Sequence, residues 1–352
     1  MSAQTTQLAG APRGASGQQD APRERRAAHL VDAARDRRVE LLLGAVAVSV
    51  VALIGLILAT VLINGWPSFA ANGLSWFAPG GDIVTQFRAM QTGIPLPGHP
   101  LLYFRAWPLI WGTLLSTAGA VAIALVVSTL AAIFLTEFAP GPVRRVLAPV
   151  VRLLAGVPSV IYGLVGILAI VPWVNENLIS NGRRQSVAYV VQLNGANLST
   201  AILILTVMIL PIMVALTANA LASVPVSWRE GSAALGVNRW RTIWRVSLRA
   251  ARPAIAAGTV LATARALGEA VMLAMLSGGR PFEANPLDGF TFLFEPIETL
   301  AAGILQEFGG ETNTPIGHTA YAMGALLLFS AAMLSFASWA VKQRLRRYGV
   351  GS

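Results

Sequence analysis

Six stretches of this chain are long and apolar enough to cross a bilayer. They cover approximately residues 41–63, 109–135, 153–171, 198–222, 254–276 and 321–341. A spanning helix takes about 20 mostly apolar residues. In hydrocarbon every backbone N–H and C=O must find its partner inside the protein, so apolar runs of this length become helices. The predicted fold class is therefore an all-α polytopic membrane protein with six transmembrane helices. Pro158 interrupts the third run and Pro211 lies within the fourth, where a kink is expected. Neighbouring helices can satisfy the carbonyls such prolines free.

Charge sets the orientation. Only 12% of the residues are charged, against about 25% in soluble domains. With the N-terminus inside, the inner segments (the N-terminal tail, 136–152, 223–252 and the C-terminus) hold 20 of the 26 Lys and Arg. The outer segments 64–108, 172–197 and 277–320 hold five, and Arg265 lies in a span. The positive-inside rule then puts both termini on the cytoplasmic side of the membrane. The expected organisation is a mostly disordered basic tail over 1–38, whose last part, "RERRAAHLVDAARDRR", can form a short helix at the membrane surface, a membrane domain over 39–341 with an inner loop at 223–252, and a cytoplasmic tail over 342–352. The Trp and Phe of "GWPSF" and "LSWFAPGGD" in the first outer segment are expected at headgroup level, as an aromatic belt, with substrate contact the competing use. The basic segments are membrane-flanking charge and make no case for nucleic acid.

Several chemistries are excluded. There is no cysteine, so no disulfide and no thiolate metal site. The single lysine, Lys342, follows no glycine-rich loop, so no Walker A motif can bind ATP. His29, His99 and His318 are far apart and form no metal-ligand motif. Neither catalytic nor metal residues are assigned, no cofactor is expected in this chain, and it is not expected to be an enzyme.

The fifth run, "AIAAGTVLATARALGEA", is different from the others. Small residues recur at spacing four (Ala254, Gly258, Ala262, Ala266, Ala270), which lets neighbouring backbones approach closely. Arg265 falls near the middle of the run, where a charge costs roughly 2.5–3.5 kcal/mol on insertion scales. Glu269 follows four residues later. Residues four apart sit on one helix face, so the two side chains can meet. The pair is either a packing bridge or part of an aqueous path. Arginine's planar fork matches oxyanions, and it stays protonated in poor dielectric. A path built on it would suit an anion, and Glu269 would accept a hydrogen bond from a protonated one.

Other polar groups in the spans are Thr113, Ser116, Ser159, Tyr162 and Asn219. Each is a possible pathway contact, with interhelical hydrogen bonding the competing use.

The inner loop reads "SVPVSWREGSAALGVNRWRTIWRVSLRAAR", with six arginines and one acid, Glu230. Ala234, Val237, Trp240 and Ile243 fall near helical spacing. Gly236 is placed to end one short helix, and a second is expected from about Arg239. The loop is either an amphipathic surface helix or a docking element for a cytoplasmic partner.

Here the sequence resembles a known family. The loop is similar to the EAA motif of ATP-binding-cassette importer permeases, E-A-A-x3-G-x9-I-x-L-P, with Glu230, Gly236 and Leu248 at the family spacing. Gly231 and Ser232 replace the two alanines, Val246 the isoleucine and Arg249 the proline. "IFLTEFAP" (133–140), "LLAGVPSVIYGLVGI" (153–167), "RALGE" (265–269) and "FEPIETLAAGILQEF" (294–308) together resemble the phosphate-transport permease of PstC type, sister of PstA.

The resemblance implies a type I ABC importer permease fold and a division of labour. A PstC-like and a PstA-like permease would form the path through the lipid bilayer. Two copies of a PstB-like ATPase would bind ATP and Mg inside, and a PstS-like protein would deliver phosphate outside. Arg229, Glu230, Ala234, Gly236, Arg239 and Trp240 would couple to the ATPase. Arg265 and Glu269 would be the charged pair of the substrate pathway. A permease for another oxyanion such as sulfate or molybdate, and a phosphate-sensing membrane scaffold, stay open as alternatives.

Overall fold

The computed structural model describes residues 21–180, 182, 192–281, 283–308, 310 and 313–346. Among them the regular structure is helical. Five helices are long and apolar enough to cross a membrane: Val39–Phe77, Trp107–Phe138, Ser159–Asn177, Leu198–Ala222 and Pro315–Ala340.

Helix α1 runs Ala21–Asn72. Residues 21–38, where the sequence allows a short helix at the end of the tail, are helical, as their Ala and Arg content favours, and run straight into the first span. Residues 1–20 of that tail, and 347–352 at the other end, lie outside the described residues. The chain divides into two compact units at Ala59/Thr60. In the first, the side chains of 39–58 are all exposed.

The second unit begins with the end of α1. Gly65 there lies against α13 (Pro315–Arg346), where an added Cβ would approach Ala322 N to 2.9 Å. Ser68 and Thr319 hydroxyls meet at 3.4 Å, and the His318 ring bonds the Asn64 carbonyl at 2.8 Å. Packed with them is a cap containing α2 (Ile83–Thr92). Asn72 donates to Leu102 O and accepts from Phe104 N. Trp76 is fully buried against Phe69, Phe77 and Phe104 and donates to Ser68 Oγ. The aromatic-belt expectation therefore suits the exposed Trp66 but is corrected for Trp76, which is the cap's own core.

The centre is α3 (Trp107–Ile133) packed along α7 (Leu198–Ala222), with α10 (Leu248–Leu267) across α7. Small residues make this closeness possible. Ala120 and Ala124 of α3, Ala201 of α7, and Ala262 and Ala266 of α10 share one core with Leu205, Met208 and Met272. A Cβ at Gly258 would come within 3.1 Å of Leu216 Cβ. The stripe expected on the fifth run thus packs at Gly258, Ala262 and Ala266, whereas Ala254 is exposed.

Two expected spans are corrected. The third does not start at 153, because Gly156 and Pro158 end α4 (Gly141–Ala155), and α5 starts at Ser159. It continues through a π turn at Gly166–Ile170 into α6 (Val171–Asn177). The fifth is not one helix. It stops at Leu267 and restarts as α11 (Val271–Leu276).

The last outer segment folds back on α3. Thr113 Oγ1 accepts the Leu300 N–H at 2.9 Å, at the start of α12 (Leu300–Glu307). A Cβ at Gly112 would run into the Glu298 carbonyl oxygen. Gly112→Ala is expected to cost about 2 kcal/mol through overpacking, seen as a lower unfolding midpoint in detergent. An unchanged midpoint would show that the contact yields freely.

Candidate functional site

Arg265 lies in the last turn of α10 and is exposed on the surface of this chain. Glu269 is buried, in the non-helical stretch between α10 and α11. The i, i+4 contact needs unbroken helix, and the helix is broken at Gly268–Ala270. The two form no ion pair, correcting the expectation that they meet. Neither has an ion-pair or side-chain hydrogen-bond partner among the described residues. Irregular backbone at membrane depth survives where it is buried in protein or lines a water-filled cavity. A bare guanidinium beside such a break can take an anion from outside the chain, and Glu269 can accept a proton-bearing group.

Three of the other polar candidates are used internally. Thr113 donates to Leu109 O and Ser116 to Gly112 O, each at 2.7 Å. Tyr162 OH donates to Leu154 O at 3.0 Å, tying α5 back to α4. Ser159 is the first residue of α5 and is half-buried. Asn219 is exposed near the end of α7 and borders a cavity of about 90 Å³ with Thr136, Arg144 and Arg152.

The inner loop folds as two short helices, α8 (Val226–Ala234) and α9 (Arg239–Thr242). Gly236 turns the chain between them at φ 72°, a conformation that favours glycine. Asn238 caps α9 by accepting the Arg241 N–H, and the Ser232 and Thr242 hydroxyls link the two helices at 2.8 Å. Arg229 is half-buried, while Glu230, Ala234, Gly236, Arg239 and Trp240 are exposed. Trp228, Leu235 and Trp240 show apolar surface beside the arginines. From Arg239 the chain stays helical to Leu267, through a π turn at Ile243–Ser247. At about 1.5 Å per residue this rod is roughly 40 Å long. One end carries the exposed loop and the other carries Arg265.

Sequence reasoning missed two carboxylates. Glu137, in "IFLTEFAP", contacts both Arg229 and Arg239. Its signal was a lone acid closing an apolar run. Glu298, in the last outer segment, is buried with Oε1 unpartnered, and only packing reveals it. Burial, then the charge of Glu307, pushes its carboxyl from 4.5 to about 7. Glu307 is raised by burial and partly offset by the hydrogen bond from Gln91.

Residues 124–346 match the family model for the binding-protein-dependent transport system inner membrane component. The chain belongs to that family. This inner membrane component is 33% identical to the probable ABC transporter permease protein YqgH of Bacillus subtilis, over 85% of this chain and 90% of that one. It is 30% identical to the phosphate transport system permease protein PstC of Mesorhizobium japonicum, over 83% and 85%. It is 31% identical to PstC 1 of Mycobacterium tuberculosis, over 71% and 75%. A MetNI methionine ABC transporter chain in an inward-facing form overlays with a TM-score of 0.48 at 19% identity, covering 67% of this chain and 93% of that one. The protein is thus a permease component of an ABC importer, a multi-pass inner membrane protein with PstC-type relatives.

Proposed function

We propose that this chain is the PstC-like permease subunit of an ATP-driven inorganic phosphate importer. It forms half of the translocation path beside a PstA-like subunit, with both termini in the cytoplasm and the broken fifth helix as the sixth crossing. Two PstB-like ATPases hold ATP and Mg, and a PstS-like protein supplies phosphate outside. The observation that carries this reading is the continuous rod from 239 to 267, with an exposed docking loop at one end and the unpaired Arg265 at the other. Closure of the ATPases pushes the loop, the rod moves as a body, and the arginine changes its exposure from outside to inside. Exposed Arg265 is free to meet an anion at the face left open for the second permease.

Two results test this. Reconstituted uptake of labelled phosphate should resist an excess of sulfate or molybdate, and effective competition by either would reassign the anion. Single cysteines placed at 235 and 240 should cross-link to the ATPase, and failure at both positions would remove the loop from the coupling interface.

A further inference from the structure

We infer that Glu137 is the positioning residue that fastens the coupling loop to the inner end of α3, so that loop and span move together. The inference rests on the proposed coupling role of the loop. Glu137 lies in the π turn Phe134–Phe138 that closes α3. Its Oε1 is 2.8 Å from Arg229 Nη1, and its Oε2 is 3.8 Å from Arg239 Nη2. The Glu137 main-chain oxygen accepts from Arg239 Nη2, and the Arg239 guanidinium lies 5.0 Å from the centre of the Phe138 ring. Arg229 Nη2 also donates to Leu221 O at 2.6 Å, at the end of α7. One carboxylate thereby gathers α3, α7, α8 and α9 at a single point.

Burial decides the role. The Glu137 side chain is only 10% exposed, so a cytoplasmic partner cannot use it as a docking contact. It acts through Arg229 and Arg239. Beneath it, Ala132, Ile133, Leu221, Val224 and Ile243 form one apolar cluster that joins α3 and α7 to the π turn after α9. The clamp includes one π turn, 134–138, and a second, 243–247, follows α9. Such turns are often found at functional sites. Arg229 Nε is buried without a hydrogen-bond partner, so losing the carboxylate would leave the guanidinium poorly compensated. The apolar cluster would still hold the fold, but the loop's angle to α3 would no longer be fixed.

The test uses the full complex in proteoliposomes, with phosphate transported per ATP hydrolysed as the readout. Glu137→Gln should co-purify with the ATPase as wild type does and keep ATP hydrolysis. Its phosphate moved per ATP should fall about 10-fold, a coupling of roughly 1.4 kcal/mol. Glu137→Asp, which keeps the charge, should recover most of it. Arg229→Gln should reproduce the loss, and the double variant should add nothing. A wild-type ratio in Glu137→Gln overturns the inference, as does equal loss of ATPase binding in the Gln and Asp variants. A second readout needs no substrate. Spin labels at positions 130 and 235 should give a narrow distance distribution in wild type and a broad one in Glu137→Gln; equal widths overturn the clamp. If the wild-type complex moves no phosphate but the widths differ, the clamp stands and the substrate assignment fails.

Discussion

Phosphate uptake is expected to fall at least about 100-fold in Arg265→Ala, with the complex still assembled. The structure separates these two effects. Arg265 is exposed on this chain and bonds no neighbour, so truncating it leaves no buried group unpaired. A residue present only for packing would not be left bare at the end of a close-packed helix. Arg265→Lys keeps the charge but loses the fork that grips two oxygens together, and should recover uptake only in part. Labelled-phosphate uptake with co-purification of the ATPase gives both readouts. Normal uptake by the alanine variant would take Arg265 out of the path.

Glu298→Gln is expected to stabilise the protein at pH 8 and to leave it unchanged at pH 4. The carboxyl titrates at 4.5 when unfolded and near 7 when folded. Folding then favours the neutral acid, so its contribution is full below pH 4.5 and declines as pH rises from there to about 7. Above that the loss is constant. The shift corresponds to about 3 kcal/mol. A glutamine keeps the shape of the neutral acid and cannot ionise, so the pH-dependent loss disappears. Unfolding midpoints measured in detergent from pH 4 to 8 should converge at the acid end and separate at the basic end. Parallel curves would show that Glu298 ionises as freely inside the fold as outside it.

The sequence was legible wherever a local rule acts alone. Apolar run length found the five long apolar helices, and Gly236 and the start near Arg239 placed the two loop helices. The spacing-four stripe found the packed face of α10. The pairing of Arg265 with Glu269 failed because it assumed helix continuity, which Gly268 and its neighbours do not keep. The third span began late for a similar reason, at the Gly156–Pro158 break. Glu137 and Glu298 were beyond reach, since their importance lies in what distant segments bring beside them. Arg229 and Arg239 reach Glu137 from the next inner loop, and the Glu298 backbone rests on Gly112 of α3.

The uncovered stretch 39–58 bears on how the protein is made. Its side chains are all exposed, so lipid alone can satisfy them. During synthesis this stretch can leave the insertion machinery and settle in the bilayer before the later helices exist. With Arg35, Arg37 and Arg38 just ahead of it, it can fix the direction in which the rest of the chain is threaded.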